Sequence, residues 1–407
     1  MSGQAIEGTK REFFPQLTSV RFFAALIVIL YHYNEEFAPY LPQYVLNFVE
    51  HGYVGVSFFF VLSGFILAAN YYDRLLNKTV SKADFWWARF SRIYPLYMLS
   101  ILVVLPRFFI PLSMDPLPKD AIYAHAHPFE LLFVVVFALQ SFAFPSGAFF
   151  NSPVWSISTE VFFYICLPFL LPLLNKIKTR GLMITLGVLL LYSLAGAYCY
   201  HQEIFTVNLP KIGIAYTESV NSFVNQFVRM SFITRLPEFL AGVIGFRIYR
   251  EILTGNKNPW LLPFTILSAI PFLGLMIIEP SENVMHTVLY TGQVLGIPFF
   301  VFLLLLLIQS KSRIVAALKH PKWVLLGEAS FALYLFHIPI KNAGQLVVSK
   351  FFHGDKNNIW FCLCLIAFSV ATSIFLFHRV EKPCRKILAD WWKKRKAVSL
   401  QSPASSH

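Results

Sequence analysis

Apolar residues run along the chain in eleven long stretches, separated by short segments that hold most of the charged residues. The stretches cover residues 17–33, 53–71, 95–112, 129–145, 154–174, 181–200, 231–249, 260–278, 286–309, 323–340 and 358–378. Each is roughly as long as a helix must be to cross a hydrocarbon core of about 30 Å. The pattern therefore predicts an all-α fold, a polytopic bundle of helices in a membrane.

The composition agrees with a membrane protein and excludes an ordinary soluble domain. Of the 407 residues, 57% are hydrophobic and 14% are charged, against about 45–50% and about 25% in soluble proteins. The five cysteines are an odd number without a CxxC pair, so they predict neither a disulfide framework nor a metal ribbon. Residues 1–16 lack the apolar core of a signal peptide. We therefore expect the first stretch to stay in the protein.

The distribution of basic residues predicts how the bundle is oriented. The net charge is +13, but most of the Lys and Arg residues lie in alternate connecting segments and in the tail. This distribution follows the positive-inside rule and argues against a nucleic-acid partner. We therefore predict that both ends of the chain are cytoplasmic, in a multi-pass protein of the inner or plasma membrane whose partner is the lipid bilayer.

Two cytoplasmic ends require an even number of crossings, so one of the eleven stretches cannot cross. The alternation fails between the third stretch and the basic loop at 175–180. Either 129–145, which precedes a Phe-Pro-Ser-Gly turn, or 151–160 is predicted to be re-entrant and packed against protein. About ten spanning helices remain. The predicted parts are a cytoplasmic segment (1–16), a membrane domain (17–378) and a basic cytoplasmic tail with a disordered end (379–407).

Arg21 and His32 stand out in the first apolar stretch, where ionisable side chains are costly. Their eleven-residue spacing corresponds to about 16 Å along a helix and places both on one face. One interpretation is a single cavity in which Arg21 holds an anionic donor and His32 transfers a proton. The alternative is that Arg21 reaches lipid phosphates and His32 caps the outer helix end.

Further polar residues lie inside or beside the apolar stretches. Arg89 and Arg92 share a helix face and suit phosphates, or they anchor the helix at the interface. Glu160 follows Ser and Thr residues, so it either caps its helix or orients an imidazole. His337 needs a partner, but Glu328 is on almost the opposite helix face.

Two more features have simpler interpretations. The segment from Gly52 to Gly64 has small residues that permit close approach between helices or to a ligand. His125 and His127 lie in a loop without a further ligand at metal-site spacing. We therefore predict no metal site.

Together these blocks resemble acyltransferase family 3, a family of integral-membrane, acyl-CoA-dependent O-acyltransferases that modify bacterial glycans. In chain order, the blocks are Arg21 with His32, Phe59-Phe-Val-Leu-Ser63-Gly64, Arg89-x-x-Arg92 before Tyr94-Pro95, Trp155-Ser156 with Glu160 and Phe163-Tyr164, Ser330 to Tyr334 with His337 and Pro339, and Val380-Glu381-Lys-Pro383. The resemblance implies a roughly ten-helix domain that moves an acyl group, commonly acetyl, from cytoplasmic acyl-CoA to a sugar hydroxyl of a lipid-linked or cell-surface saccharide.

The resemblance also implies roles for individual residues. It makes Arg21, His32 and Glu160 catalytic, makes Arg89, Arg92, Ser63 and Gly64 part of the acyl-CoA site, and gives supporting roles to Trp155, Tyr334 and His337. It implies acetyl-CoA or another acyl-CoA as co-substrate, with no permanently bound cofactor.

The sequence departs from the family pattern at two places. Members often have a second acidic residue where this chain has Val161. Many also carry a fused SGNH-hydrolase-like domain, whereas about 29 residues follow the last apolar stretch here. Either the membrane domain completes the transfer alone or a separate periplasmic protein accepts the acyl group. The alternative function is a transporter or flippase whose buried charges form a substrate or proton path.

Overall fold

The computed structural model describes residues 12–109, 128–142, 151–201, 230–255, 258–278, 288–352 and 358–401. The α-helices in these ranges are α1 (Pro15–His32), α2 (Asn34–Phe37), α3 (Gln43–Glu50), α4 (Val54–Leu76), α5 (Lys82–Phe109), α6 (Pro128–Val136), α7 (Val154–Asn175), α8 (Thr179–His201), α9 (Phe232–Ile248), α10 (Leu261–Ile277), α11 (Gly296–Gln309), α12 (Arg313–Leu318), α13 (Pro321–Val347), α14 (Ile359–Leu376) and α15 (Lys382–Gln401). Short π-helical segments adjoin them at Tyr249–Leu253, Val288–Leu295, Val348–Phe352 and Phe377–Glu381. The described residues contain no strand.

The structure confirms the predicted all-α polytopic membrane bundle. Within the described ranges, eight helices are long and apolar enough to cross a membrane. They contain α1, α4, α5, α7, α8, α11, α13 and α14. Helices α9 and α10 have 17 residues each, a length of about 25 Å. These ten helices correspond to ten of the eleven predicted stretches.

The remaining stretch, 129–145, contains the short helix α6. Its nine residues rise about 14 Å, less than half of a hydrocarbon core. The Ser141 backbone N–H donates to Ser158 Oγ at 3.0 Å, which ties the following turn to α7. Residues 151–160, by contrast, lead into the long helix α7. Of the two predicted candidates, 129–145 therefore contains the element too short to cross; its residues 143–145 lie outside the described ranges.

Helix α5 begins 13 residues before the predicted apolar stretch at 95–112. The cause is a reciprocal capping arrangement: the Asp84 N–H donates to Ser81 Oγ at 3.1 Å, and the Ser81 N–H donates to Asp84 Oδ2 at 3.2 Å. Pro95 lies inside the helix. Arg89 and Arg92 therefore lie within α5 rather than in a connecting segment.

The packing of α4 against α9 forms the most extensive contact between two helices in the described bundle. A Cβ atom built on Gly242 would lie 1.9 Å from the Val61 carbonyl oxygen. A Cβ on Gly64 would lie 2.0 Å from the Phe239 carbonyl oxygen. Only glycine permits this approach of two backbones, so helix packing rather than a ligand accounts for Gly64.

The C-terminal helix α15 packs along the first turns of α5. The Trp87 indole N–H donates to the Leu388 carbonyl at 2.8 Å, and its ring stacks on Trp392 with centroids 4.9 Å apart. Lys396 Nζ is 2.8 Å from Asp84 Oδ2. The helix extends to Gln401, five residues into the part of the tail predicted to be disordered after Lys396. Residues 402–407 lie outside the described ranges.

Candidate functional site

A large chamber lies between α1, α4, α5, α7 and α13. Its empty volume is about 810 Å³, which includes space open to solvent. The polar or charged residues of its lining are Arg21, Ser63, Arg89, Arg92, Ser156, Glu160, Tyr164, Ser330 and Tyr334. Three arginines face one glutamate, so we call it the cationic chamber. It brings together six predicted site residues from five helices: Arg21, Ser63, Arg89, Arg92, Glu160 and Tyr334.

Tyrosines and a serine hold two of these charged groups in place. Arg89 Nη2 donates to the Tyr71 hydroxyl at 3.0 Å. Ser63 Oγ donates to Glu160 Oε1 at 2.9 Å, and the Tyr164 hydroxyl donates to the same oxygen. The interpretation of Glu160 as a helix cap is therefore wrong, because α7 begins at Val154 and this carboxylate faces the chamber.

A second chamber contains the His32 imidazole. Its empty volume is about 410 Å³, which also includes space open to solvent. The polar or aromatic residues of its lining are Tyr31, His32, Tyr53, Ser152, Trp155, Arg235 and Tyr334. We call it the imidazole chamber. It lies beside the C-terminal end of α1 and the N-terminal ends of α4 and α7.

The two chambers correct the prediction of one cavity. Arg21 and His32 both face the bundle interior, as their spacing predicts, but they line different chambers. Val56 and Tyr334 belong to both linings. The Tyr334 hydroxyl bonds with Ser156 Oγ at 2.8 Å and donates to the Pro153 carbonyl at 3.2 Å. A tyrosine held against α7 therefore stands between the cationic site and the imidazole.

Arg235 is a charged residue of the imidazole chamber to which the sequence alone assigned no role in the site. Its Nη1 lies 2.9 Å from Glu238 Oε1, and the two side chains are 4% and 0% exposed. Its guanidinium carbon lies 5.6 Å from the Trp155 ring centroid. The ion pair with Glu238 offsets part of the charge that Arg235 brings to the imidazole chamber. An Arg and a Glu three residues apart in an apolar stretch were the available signal.

His32 lies in a cluster of polar groups at the end of α1. Its ring centroid is 5.1 Å from that of His337, which is fully buried and bonds through Nδ1 to the Tyr334 carbonyl at 2.7 Å. Lys341 donates to the His32 carbonyl and lies 2.7 Å from Glu36 Oε1. The buried Lys341–Glu36 pair thus holds the end of α1 against α13. The structure places His337 beside His32 and leaves Glu328 exposed on the other face of α13.

The described residues contain no group of three or more His, Cys, Asp or Glu side chains that could hold a metal ion. His125 and His127 lie outside those residues. The chemistry that the two chambers offer is therefore that of guanidinium, carboxylate, phenol and imidazole groups.

Comparison with known proteins gives a consistent result. A family model described as an acyltransferase domain matches residues 14–378. The acyltransferase MdmB of Streptomyces mycarofaciens is 26% identical over 406 residues, which cover 96% of each chain. The peptidoglycan O-acetyltransferase OatA of Listeria monocytogenes is 24% identical and is covered over 56% of its length by 92% of this chain.

The O-acetyltransferase OatA of Staphylococcus aureus is 22% identical, with 92% of this chain covering 57% of the relative. The chain thus spans little more than half the length of the OatA proteins. No solved structure matches the chain.

Proposed function

The chain belongs to the acyltransferase 3 family and is a membrane acyltransferase, and on that premise we propose that it transfers an acetyl group from acetyl-CoA to a hydroxyl of a cell-surface or lipid-linked saccharide. The observation that supports this most directly is the pair of adjoining chambers, one with three arginines and the other with an imidazole. The relatives named O-acetyltransferases favour acetyl as the group transferred.

The cationic chamber is the proposed site for the donor. Acyl-CoA carries several phosphate charges, and guanidinium groups bind phosphates through paired hydrogen bonds. Arg89 and Arg92 come from α5 and Arg21 comes from α1, so the three charges converge from two helices. In the predicted orientation this chamber is nearer to the cytoplasm, where the donor is made.

The imidazole chamber is the proposed site for the acceptor. His32 takes the proton of the attacking hydroxyl as a general base, because a thioester is already activated and the hydroxyl can attack it directly. The acceptor hydroxyl meets a lining with aromatic rings from Tyr31, Tyr53 and Trp155.

Replacing Arg92 by alanine is expected to raise the KM for acetyl-CoA about 10- to 100-fold. A lost charged hydrogen bond costs about 1.5–3 kcal/mol, which corresponds to this range. Arg92→Lys keeps the charge but loses the paired hydrogen-bond geometry. Its KM for acetyl-CoA is therefore expected to lie between those of the wild type and Arg92→Ala. Steady-state release of CoA thiol measures the effect, and exposed Arg180→Ala is the matched control. An unchanged KM for acetyl-CoA in Arg92→Ala would show that this residue does not bind the donor.

The proposed function is tested with inside-out membrane vesicles from cells that express the protein. Given acetyl-CoA with a labelled acetyl group, they are expected to release CoA thiol and to form base-labile acetyl esters in the saccharide fraction. Vesicles that carry the empty vector give the background. A transporter or flippase would leave the thioester intact, so thiol release at the background rate would reject the proposal.

A further inference from the structure

We propose that Tyr334 is a catalytic residue whose hydroxyl donates a hydrogen bond to the thioester carbonyl oxygen as negative charge develops there. This inference rests on the proposed function and extends it to the point where the two chambers meet. The phenol thereby supplies an electrostatic contact that strengthens in the transition state.

The position of Tyr334 between the chambers is the first argument. Of the described lining residues, Val56 and Tyr334 alone belong to both chambers, and Val56 has no polar group. Arg21, Arg89 and Arg92 lie on one side of this boundary and His32 lies on the other. A thioester held by the arginines meets a hydroxyl activated by His32 only at the boundary. The reacting carbonyl therefore lies beside the phenol.

The hydrogen bonds of the phenol are the second argument. The Tyr334 and Ser156 hydroxyls lie 3.2 Å and 3.0 Å from the Pro153 carbonyl oxygen and 2.8 Å from each other, so two protons serve three close contacts. The Tyr334 hydroxyl can therefore turn to a substrate carbonyl while Ser156 donates to the Pro153 oxygen. The Ser156 backbone N–H also donates to that oxygen, at 3.3 Å, so this buried acceptor keeps a partner in the exchange.

The surroundings of the ring are the third argument. The Tyr334 ring packs edge-on against Phe59 with centroids 6.0 Å apart, and its backbone carbonyl bonds with His337 Nδ1 at 2.7 Å. Tyr334 is 6% exposed. A phenol fixed in this way in a water-poor site is preorganised, which is what makes a single donor effective.

The step balances as follows. The acceptor oxygen forms a bond to the thioester carbon while its proton passes to His32, and the carbonyl π electrons move to the oxygen that Tyr334 contacts. An electron pair on that oxygen then re-forms the carbonyl as the carbon–sulfur bond breaks with its electron pair on sulfur, and His32 returns the proton to the thiolate. The products are the O-acetyl ester and CoA thiol, and Tyr334 keeps its own proton throughout.

The test compares Tyr334→Phe with two other variants in the vesicle assay described above. Tyr334→Phe keeps the ring packing and removes only the hydroxyl. It is expected to lower kcat about 10²–10³-fold, with the KM for acetyl-CoA within threefold of wild type. Tyr72→Phe is the matched control, because this phenol also donates to a side chain, Asn175 Oδ1 at 2.7 Å, but lines neither chamber. It is expected to keep its kcat within threefold.

Ser156→Ala separates a catalytic phenol from a structural pair of hydroxyls. It removes the neighbour of Tyr334 but keeps the phenol as a hydrogen-bond donor, so a loss of less than tenfold in kcat is expected. Equal losses in Ser156→Ala and Tyr334→Phe would overturn the inference. So would a wild-type kcat in Tyr334→Phe. Failure of the wild-type protein to release thiol would instead reject the proposed function.

Discussion

The substitution His32→Ala is expected to lower kcat for acetyl transfer about 10²–10⁴-fold, the range that a well-placed general base contributes. The imidazole lines the chamber proposed for the acceptor, 5.1 Å from the ring of His337 by centroid distance. Because Arg21, Arg89 and Arg92 lie in the other chamber, the KM for acetyl-CoA is expected to change little. Labelled acetyl ester formed per minute by membrane vesicles measures the effect.

A second histidine provides the control for this experiment. His378 is exposed, lies in the π-helical segment Phe377–Glu381 and lines neither chamber. His378→Ala is expected to retain wild-type kcat. If His32→Ala inserts normally and transfers acetyl groups at the wild-type rate, the imidazole is not the base and the assignment of the second chamber fails.

Gly242→Ala is expected to destabilise the bundle by about 3 kcal/mol or more, at the upper end for overpacked sites. The added Cβ would lie 1.9 Å from the Val61 carbonyl oxygen, and no side-chain rotation can relieve a contact with backbone. Helices α4 and α9 would have to separate, and both line the chambers. The measurement is the fraction of protein that stays monodisperse in size-exclusion chromatography after heating in detergent.

Gly187→Ala is the matched control for this substitution. No atom lies within 4 Å of a Cβ built at Gly187, which is also in a helix. Alanine favours a helix over glycine by about 1 kcal/mol, so this variant is expected to be at least as stable as the wild type. Equal stability of Gly242→Ala and Gly187→Ala would show that α4 and α9 tolerate a wider separation.

The helices could be predicted because membrane thickness imposes a minimum length on every apolar stretch. The start of α5 could not be predicted in the same way. Its first turns are polar, and Pro95 made the apolar stretch look like the beginning of the helix. The Ser81 and Asp84 side chains that cap it are a short polar signal outside any apolar run.

Helical spacing predicts which site residues share a face only when they belong to the same helix. Helical spacing correctly places Arg21 and His32 on the interior side of α1 and places Arg89 with Arg92 on one chamber. Helical spacing could not show that Tyr334 of α13 lies where the chamber of Arg21 meets the chamber of His32. That position depends on contacts between residues 178 and 181 positions apart. Such contacts leave no trace in the periodicity of a single segment.

Glu160 and Arg235 also show that the neighbours of a residue along its own helix do not give its position in the bundle. Glu160 had a local explanation as a helix cap, yet its partners are Tyr164 one turn on and Ser63 on another helix. Arg235 had a local partner in Glu238, and its position beside Trp155 and His32 emerges only from the packing of α9. The family resemblance supplied the order of the blocks but not this geometry.

The narrow boundary formed by Val56 and Tyr334 has a consequence for the energy balance of the cell. A continuous water-filled passage through a membrane would let protons flow down their gradient and would dissipate the voltage that drives ATP synthesis. In the described part of this bundle, the side chains of Val56 and Tyr334 line both chambers. Under the proposed function, the nucleotide of the donor stays on one side and only the acetyl group passes between them, so little proton leak is expected during turnover.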